Sequence, residues 1–250
     1  MRLCFLGTGS AIPSAGDGFT SFLAEEGGSL VLVDCGDDAY RSLLEAGRDP
    51  LALDALVLTH EHADHLGGLP AFVAALDCAR RAKPLALAAA PALAGKAQAL
   101  LGAFGLDPGN LSFEPRFSRG WEAAGLRVEL IEGRHSVPTS MVLFSSGRGG
   151  RLLYSSDSRY EPGFLASGSG HCATLIHEAT YPHDRLPAST GHSSALEAGL
   201  AAREIGAERL FLCHFQESAF PAGFDPAAEA ASSFGGEAIR PELLRWYEVA

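Results

Sequence analysis

The chain reads as an α/β protein with helices packed outside two central sheets, and three observations carry that reading. Short apolar runs bounded by glycine or polar residues alternate with segments of helical spacing. The same rhythm recurs in the second half, and apolar runs in both halves end at metal-ligand residue types.

In chain order, Leu3 to Leu6 is a short buried strand followed by the turn Gly7-Thr8-Gly9-Ser10, and Ser29 to Asp34 is a second strand entering Cys35-Gly36. Ala39 to Ala46 has helical spacing and stops at Gly47. Leu53 to Thr59 is a third strand, Leu66 to Arg81 a helix, Pro84 to Ala88 a strand, and Ala92 to Phe104 a helix ending near Gly105. Arg127 to Ile131, Met141 to Phe144, Arg151 to Tyr154 and Thr174 to His177 read as strands. Ser194 to Ile205 is a helix capped by Ser193 or Ser194, and Leu210 to Cys213 is a strand ending at a histidine.

Composition narrows the function. The 250 residues are 47% hydrophobic and 20% charged, which fits a globular chain and gives no case for disorder. No apolar run approaches the roughly 18 residues needed to cross a bilayer. The start Met1 to Gly7 is too short and too glycine-interrupted for a signal peptide, so a soluble, cytoplasmic protein without membrane partners is expected. Five cysteines, at 4, 35, 78, 172 and 213, never pair as C-x-x-C and read as small buried hydrophobes in a reducing compartment. A net charge of -11 repels polyanions, and Arg80, Arg81 and Lys83 form the only tight basic cluster. No stable nucleic-acid complex is expected.

The chemistry concentrates in His60-Glu61-His62-Ala63-Asp64-His65. Side chains of an extended segment alternate with period two, so His60 and His62 point the same way and can reach one ion. Asp64 and His65 follow at the start of a helix and face a second ion. Three histidines and an aspartate within six residues, directly after a buried strand, are hard to explain by packing.

These residues match the H-x-H-x-D-H signature, and the chain resembles the metallo-β-lactamase superfamily. Further matches are Asp34-Cys35-Gly36-Asp37, Leu66-Gly67-Gly68, His135-Ser136-Val137-Pro138, Tyr154-Ser155-Ser156-Asp157, His177-Glu178-Ala179-Thr180, Gly191-His192-Ser193-Ser194 and Leu212-Cys213-His214-Phe215. The H-E-A-T and G-H-S-S elements look most like the ribonuclease Z branch and its small phosphodiesterase relatives. The resemblance implies a four-layer αββα sandwich, one domain over residues 1–250 in two pseudo-repeated halves. It implies a homodimer as well.

Carried over residue by residue, the resemblance implies His60, His62 and His135 on one divalent ion, Asp64, His65 and His214 on another, and Asp157 bridging both. Nitrogen and carboxylate donors without sulfur suit zinc as the default, with manganese or iron left open. The implied catalytic residues are Asp64, which orients and deprotonates the nucleophile, and His192 paired with Glu178, which protonates the leaving group. Capping of the following helix is the structural alternative for His192. His177 supports the site or packs in the core, whereas His171 and His183 are surface residues. The Gly7 to Ser10 turn is read as structural, and no direct role is assigned to Thr20-Ser21.

One departure matters for the substrate. Ribonuclease Z enzymes carry a protruding arm between the third histidine and the bridging aspartate, but His135 and Asp157 here are only 22 positions apart. A small phosphodiester, such as a cyclic nucleotide or cyclic ribose phosphate, is therefore the expected substrate. An RNA 3′-end endonuclease and a thioester or lactone hydrolase on the same site are the alternatives.

Overall fold

The computed structural model describes residues 1–249. The first half runs β1 (Arg2–Gly7), β2 (Ser21–Glu26), β3 (Ser29–Val33), α1 (Ala39–Glu45), β4 (Ala55–Val57), α2 (Ala63–Leu66), α3 (Leu69–Cys78), β5 (Leu85–Ala88), α4 (Pro91–Ala103) and β6 (Pro115–Ser118). The second runs β7 (Gly120–Ala123), β8 (Leu126–Glu132), β9 (Ser140–Ser146), β10 (Arg151–Tyr154), α5 (Phe164–Ser169), β11 (Thr174–Glu178), α6 (Ala195–Glu204), β12 (Arg209–Cys213), α7 (Pro226–Phe234), β13 (Glu237–Ile239) and β14 (Trp246–Glu248).

The strands form two seven-stranded mixed sheets, ordered β14-β1-β2-β3-β4-β5-β6 and β13-β12-β11-β10-β9-β8-β7. The halves are not wholly separate, because β14 returns to the first sheet and pairs antiparallel with β1.

Alternation along the strands produces the layers. On β3, Val31 and Val33 face the core between the sheets, while Leu30 and Leu32 face α1, α3 and α4. On β12, Phe211 and Cys213 face the inter-sheet core, while Leu210 and Leu212 pack with residues of α6 and α7. Phe5, Phe22, Phe144, Tyr154 and Phe211 fill the space between the sheets. These strands are buried on both faces, so they read as continuous apolar runs rather than as alternating patterns. The result is the expected four-layer αββα sandwich.

Three expectations need correction. Leu66 to Arg81 is two helices, because the chain turns at Gly67-Gly68, where the Gly68 N–H donates to Cys35 O at 2.8 Å. A Cβ on Gly68 would lie 2.2 Å from Asp37 O, so only glycine allows this approach. Arg81 is no part of a basic patch: it is 1% exposed and donates to the carbonyls of Pro50, Leu51, Leu53 and Pro84. Lys83 pairs with Asp54. Four cysteines are buried, but Cys78 at the end of α3 is exposed. Among the described residues, no helix is long and apolar enough to cross a membrane.

Candidate metal centre

Segments following strand ends of both sheets deliver the polar cluster. His60 and His62 follow β4, and Asp64 and His65 lie on α2. His135 lies between β8 and β9, Asp157 follows β10, and His214 follows β12. Three residues around it adopt left-handed backbone: Asp34 (φ 59°), Ser156 (φ 53°) and His214 (φ 62°). Non-glycine residues enter this region at a cost, and here each turns the chain sharply as it leaves a strand. Gly36 brings two segments together, since a Cβ there would lie 1.7 Å from Asp64 O.

Two groups of donor atoms share Asp157 at their boundary. His60, His62, His135 and Asp157 each offer an atom within 4.8 Å of the others, as do Asp64, His65 and His214. Nδ1 of His62 stands 3.1 Å from Nε2 of both His60 and His135. Asp157 Oδ2 is 3.6 Å from His60 Nε2, 3.8 Å from His135 Nε2 and 3.1 Å from His214 Nε2. Asp64 Oδ2 is 3.5 Å from His65 Nε2 and 3.4 Å from His214 Nε2.

The outward nitrogens are tied back. His65 Nδ1–H donates to Asp34 Oδ2 at 2.8 Å and His135 Nδ1–H to Gly191 O at 2.9 Å. His60 Nδ1 contacts Thr59 Oγ1 at 3.1 Å, and His214 Nδ1 contacts Thr180 Oγ1 at 2.9 Å. In all four rings Nε2 is left facing the cluster. Such backing interactions fix the tautomer of metal-binding histidines. His62 alone turns Nδ1 inward.

Electrostatics and hydrogen bonding show that the cluster fits divalent cations. His65 Nε2 and Asp157 Oδ1 face each other at 3.4 Å, yet among the described residues neither buried atom has a hydrogen-bond partner. Unpaired buried polar atoms are costly, and cations between the imidazole and carboxylate would satisfy both. Burial and neighbouring imidazoles push His60 well below its ordinary pKa, which leaves the neutral form that binds metal. Burial opposes charge on His65 too, but Asp157 and Asp34 hold its pKa well above normal, so this pocket favours a cation. Corners of a tetrahedron around an ion at about 2.0–2.1 Å stand about 3.3 Å apart, close to the 3.1 Å that separates His62 Nδ1 from Nε2 of His60 and of His135.

His192 sits over the centre, its ring centroid 4.8 Å from that of His135 and 5.1 Å from that of His214. Its Nδ1 is 4.0 Å from Asp157 Oδ2, so with Asp157 and His214 it forms a third possible donor group. That nitrogen is already committed, because both oxygens of Glu178 lie 3.2 Å away. Burial lowers the affinity of His192 for its second proton, but Glu178 outweighs it and raises the pKa to about 9. The helix α6 is capped by Ser194 instead, which accepts from Glu197 N in a capping box.

Other readings resolve directly. His177 is fully buried, with Nδ1 on Glu178 O, and joins none of the donor groups. His171 and His183 are exposed. The Gly7 to Ser10 turn is structural: Ser10 N donates to Phe215 O and Phe215 N to Thr8 O, bracing the chain beside His214. Thr20 Oγ1 donates to Gly9 O in the same brace. Thr59 backs His60, a role that its place directly before that residue leaves open in sequence. Asp34 and Thr180 lie inside the matched motifs and back His65 and His214.

Known proteins share this fold. A ribonuclease Z of Halorubrum lacusprofundi is 26% identical over 300 aligned positions, covering 97% of this chain and 95% of its own. The metallo-β-lactamase fold protein YhfI of Bacillus subtilis superposes with a TM-score of 0.81 at 23% identity, covering 98% of each chain. The short form of human tRNase Z gives 0.80 at 19% identity, covering 100% of each. The family model described as "Anti-Pycsar protein Apyc1" matches residues 1–224. This hydrolase of the metallo-β-lactamase fold therefore belongs to the anti-Pycsar protein Apyc1 family.

Proposed function

We propose that the chain is a dinuclear metal-dependent phosphodiesterase acting on small phosphodiesters, cyclic nucleotides or cyclic ribose phosphates, and working as a homodimer. In this reading His60, His62 and His135 would hold one divalent ion, Asp64, His65 and His214 would hold the other, and Asp157 would serve both, with zinc the default for this donor set. The bound ions would neutralise the phosphoryl oxygens and supply an acidified water as nucleophile.

The protein's own residues do the rest. Burial raises the pKa of Asp64, but the neighbouring imidazoles of His214 and His65 bring it to about 2. Its carboxylate is therefore ionised and can accept the hydrogen bond that orients the attacking water; taking that water's proton is the role the family resemblance gives it. His192 keeps Nδ1–H on Glu178 and presents Nε2–H to the leaving oxygen.

The observation that carries the reading is the Glu178–His192 pair at 3.2 Å, because a cationic acid beside the cluster serves an alkoxide leaving group. Substrate size rests on other features. Between His135 and Asp157 the chain forms only the β9–β10 hairpin, closed over residues 147–150. The alignment of 300 positions to the Halorubrum enzyme leaves at least 50 without a counterpart in these 250 residues. A cleft of about 570 Å³ beside His135, walled by Pro91, Ile131, Val137 and Pro138 with Arg119 and Arg134, is of the size that takes a small ligand.

The test is a leaving-group comparison. His192→Ala is expected to retain its metals and lose about 10²-fold in kcat on alkyl phosphodiesters, with a smaller loss on nitrophenyl esters, which depart without an acid. Equal losses on both would remove His192 from the acid role. The relatives named ribonuclease Z favour RNA 3′-end cleavage as the second reading, and a 3′-extended tRNA precursor separates the two.

A further inference from the structure

Two threonine hydroxyls occupy matching positions on the two sides of the centre. Thr59 Oγ1 donates to Asp34 at 2.9 Å from Oδ2 and lies 3.1 Å from His60 Nδ1, while Asp34 also accepts from His65 Nδ1–H. Thr180 Oγ1 donates to Glu178 Oε2 at 2.5 Å and lies 2.9 Å from His214 Nδ1, while Glu178 also holds His192. Each buried carboxylate thus grips one imidazole directly and a second through a hydroxyl. Both threonines are nearly inaccessible, at 1% and 2% exposure.

The direction of these bonds is forced. A hydroxyl has one proton, and an ionised carboxylate can only accept. The Thr180 proton goes to Glu178, so the contact with His214 requires Nδ1–H to donate and leaves Nε2 bare toward the cluster. Glu178 is otherwise filled by Ser158 N–H at 2.8 Å, Ser193 N–H at 3.1 Å and His192. Its orientation is therefore shared by everything bonded to it.

The two sides differ in what the carboxylate serves. Asp34 backs two imidazoles that both face the donor cluster, whereas Glu178 backs His214 inside it and His192 above it. We infer that Thr180 is a positioning residue that fixes the tautomer of His214 and links it, through Glu178, to the acid His192. Thr59 performs only the first of these tasks, for His60. The inference rests on the proposed roles of His214 and His192.

The test uses Thr180→Val, Thr180→Ser and Thr59→Val. In the metal-free protein, side-chain ¹⁵N spectra should show His214 protonated at Nδ1 in wild type and Thr180→Ser, and a tautomer mixture in Thr180→Val. By chelator competition, each valine variant should bind one ion about 10- to 100-fold more weakly, with serine restoring Thr180. Thr180→Val should lose more kcat on alkyl than on nitrophenyl phosphodiesters, and Thr59→Val should lose equally on both. Wild-type tautomer and metal affinity in Thr180→Val, or a serine variant as defective as valine, would overturn the inference. If Thr180→Val does not fold, the serine variant and Thr180→Ala carry the same comparison. The spectra and metal titrations decide it even if the wild-type protein cleaves no phosphodiester, which would sink the functional reading alone.

Discussion

Glu178 places both carboxylate oxygens 3.2 Å from Nδ1 of His192, and the carboxylate is fully buried while the imidazole is partly open. A buried carboxylate with three further donors cannot swing away from its partner. The pair thus holds the imidazole in a fixed place beside His135 and His214.

That pairing sets a pH dependence. With a pKa of about 9, His192 is protonated below that value and loses its proton as pH rises through it. Turnover of an alkyl phosphodiester is expected to fall above pH 9, whereas a nitrophenyl ester holds level there. A basic limb near pH 6.5, the ordinary imidazole value, would show that Glu178 does not hold the proton.

Asp157 stands at the junction of both donor groups, with Oδ2 between 3.1 and 3.8 Å from Nε2 of His214, His60 and His135. Asp157→Ala is expected to retain fewer than two ions per chain and to lose activity to background. Elemental analysis after dialysis checks this, and an undiminished two-ion stoichiometry would remove Asp157 as the bridge.

Gly36→Ala should damage the centre from behind. The added methyl would lie 1.7 Å from Asp64 O, so the α2 segment must move. Overpacking of this kind costs about 1–3 kcal/mol, and Asp64 and His65 move with the backbone. We expect a lower denaturation midpoint together with weaker metal retention. A variant with wild-type values for both would show that the approach of Gly36 to Asp64 is not required.

Arg81 offers the opposite case, stability without activity. Arg81→Met would strand the carbonyls of Pro50, Leu51, Leu53 and Pro84 that its guanidinium satisfies, at about 3 kcal/mol. Unfolding titrations should show that loss while KM for a phosphodiester stays unchanged. A rise in KM with unaltered stability would instead give Arg81 a part in substrate binding.

Much of this architecture is legible in the residues. The strands through Leu3, Val31, Leu152, Leu175 and Phe211 are buried on both faces and announce themselves as apolar runs. The edge and short elements β6, β7, β13, β14 and α5 do not, because three to six residues carry too little periodicity. The strand β2 hides for another reason: its end, Ala24-Glu25-Glu26, is polar in sequence, yet Glu26 is nearly buried against the chain's amino group. Spacing grouped His60 with His62, and motifs brought in His135, Asp157 and His214. No local pattern showed that Thr59 and Thr180 would stand behind His60 and His214, since that depends on which strand ends meet. The charge pattern misled at Arg81, whose partners are backbone carbonyls invisible in sequence.

The central claim is tested most directly by one comparison of kcat/KM on protein assayed for metal. The substrates are 3′,5′- and 2′,3′-cyclic nucleotides, a cyclic ribose phosphate and a 3′-extended tRNA precursor. Two ions per chain with turnover of a small cyclic diester well above that of the tRNA precursor is the result this account predicts. Efficient cleavage of the precursor with the small diesters untouched would contradict it and make the protein an RNA-processing enzyme.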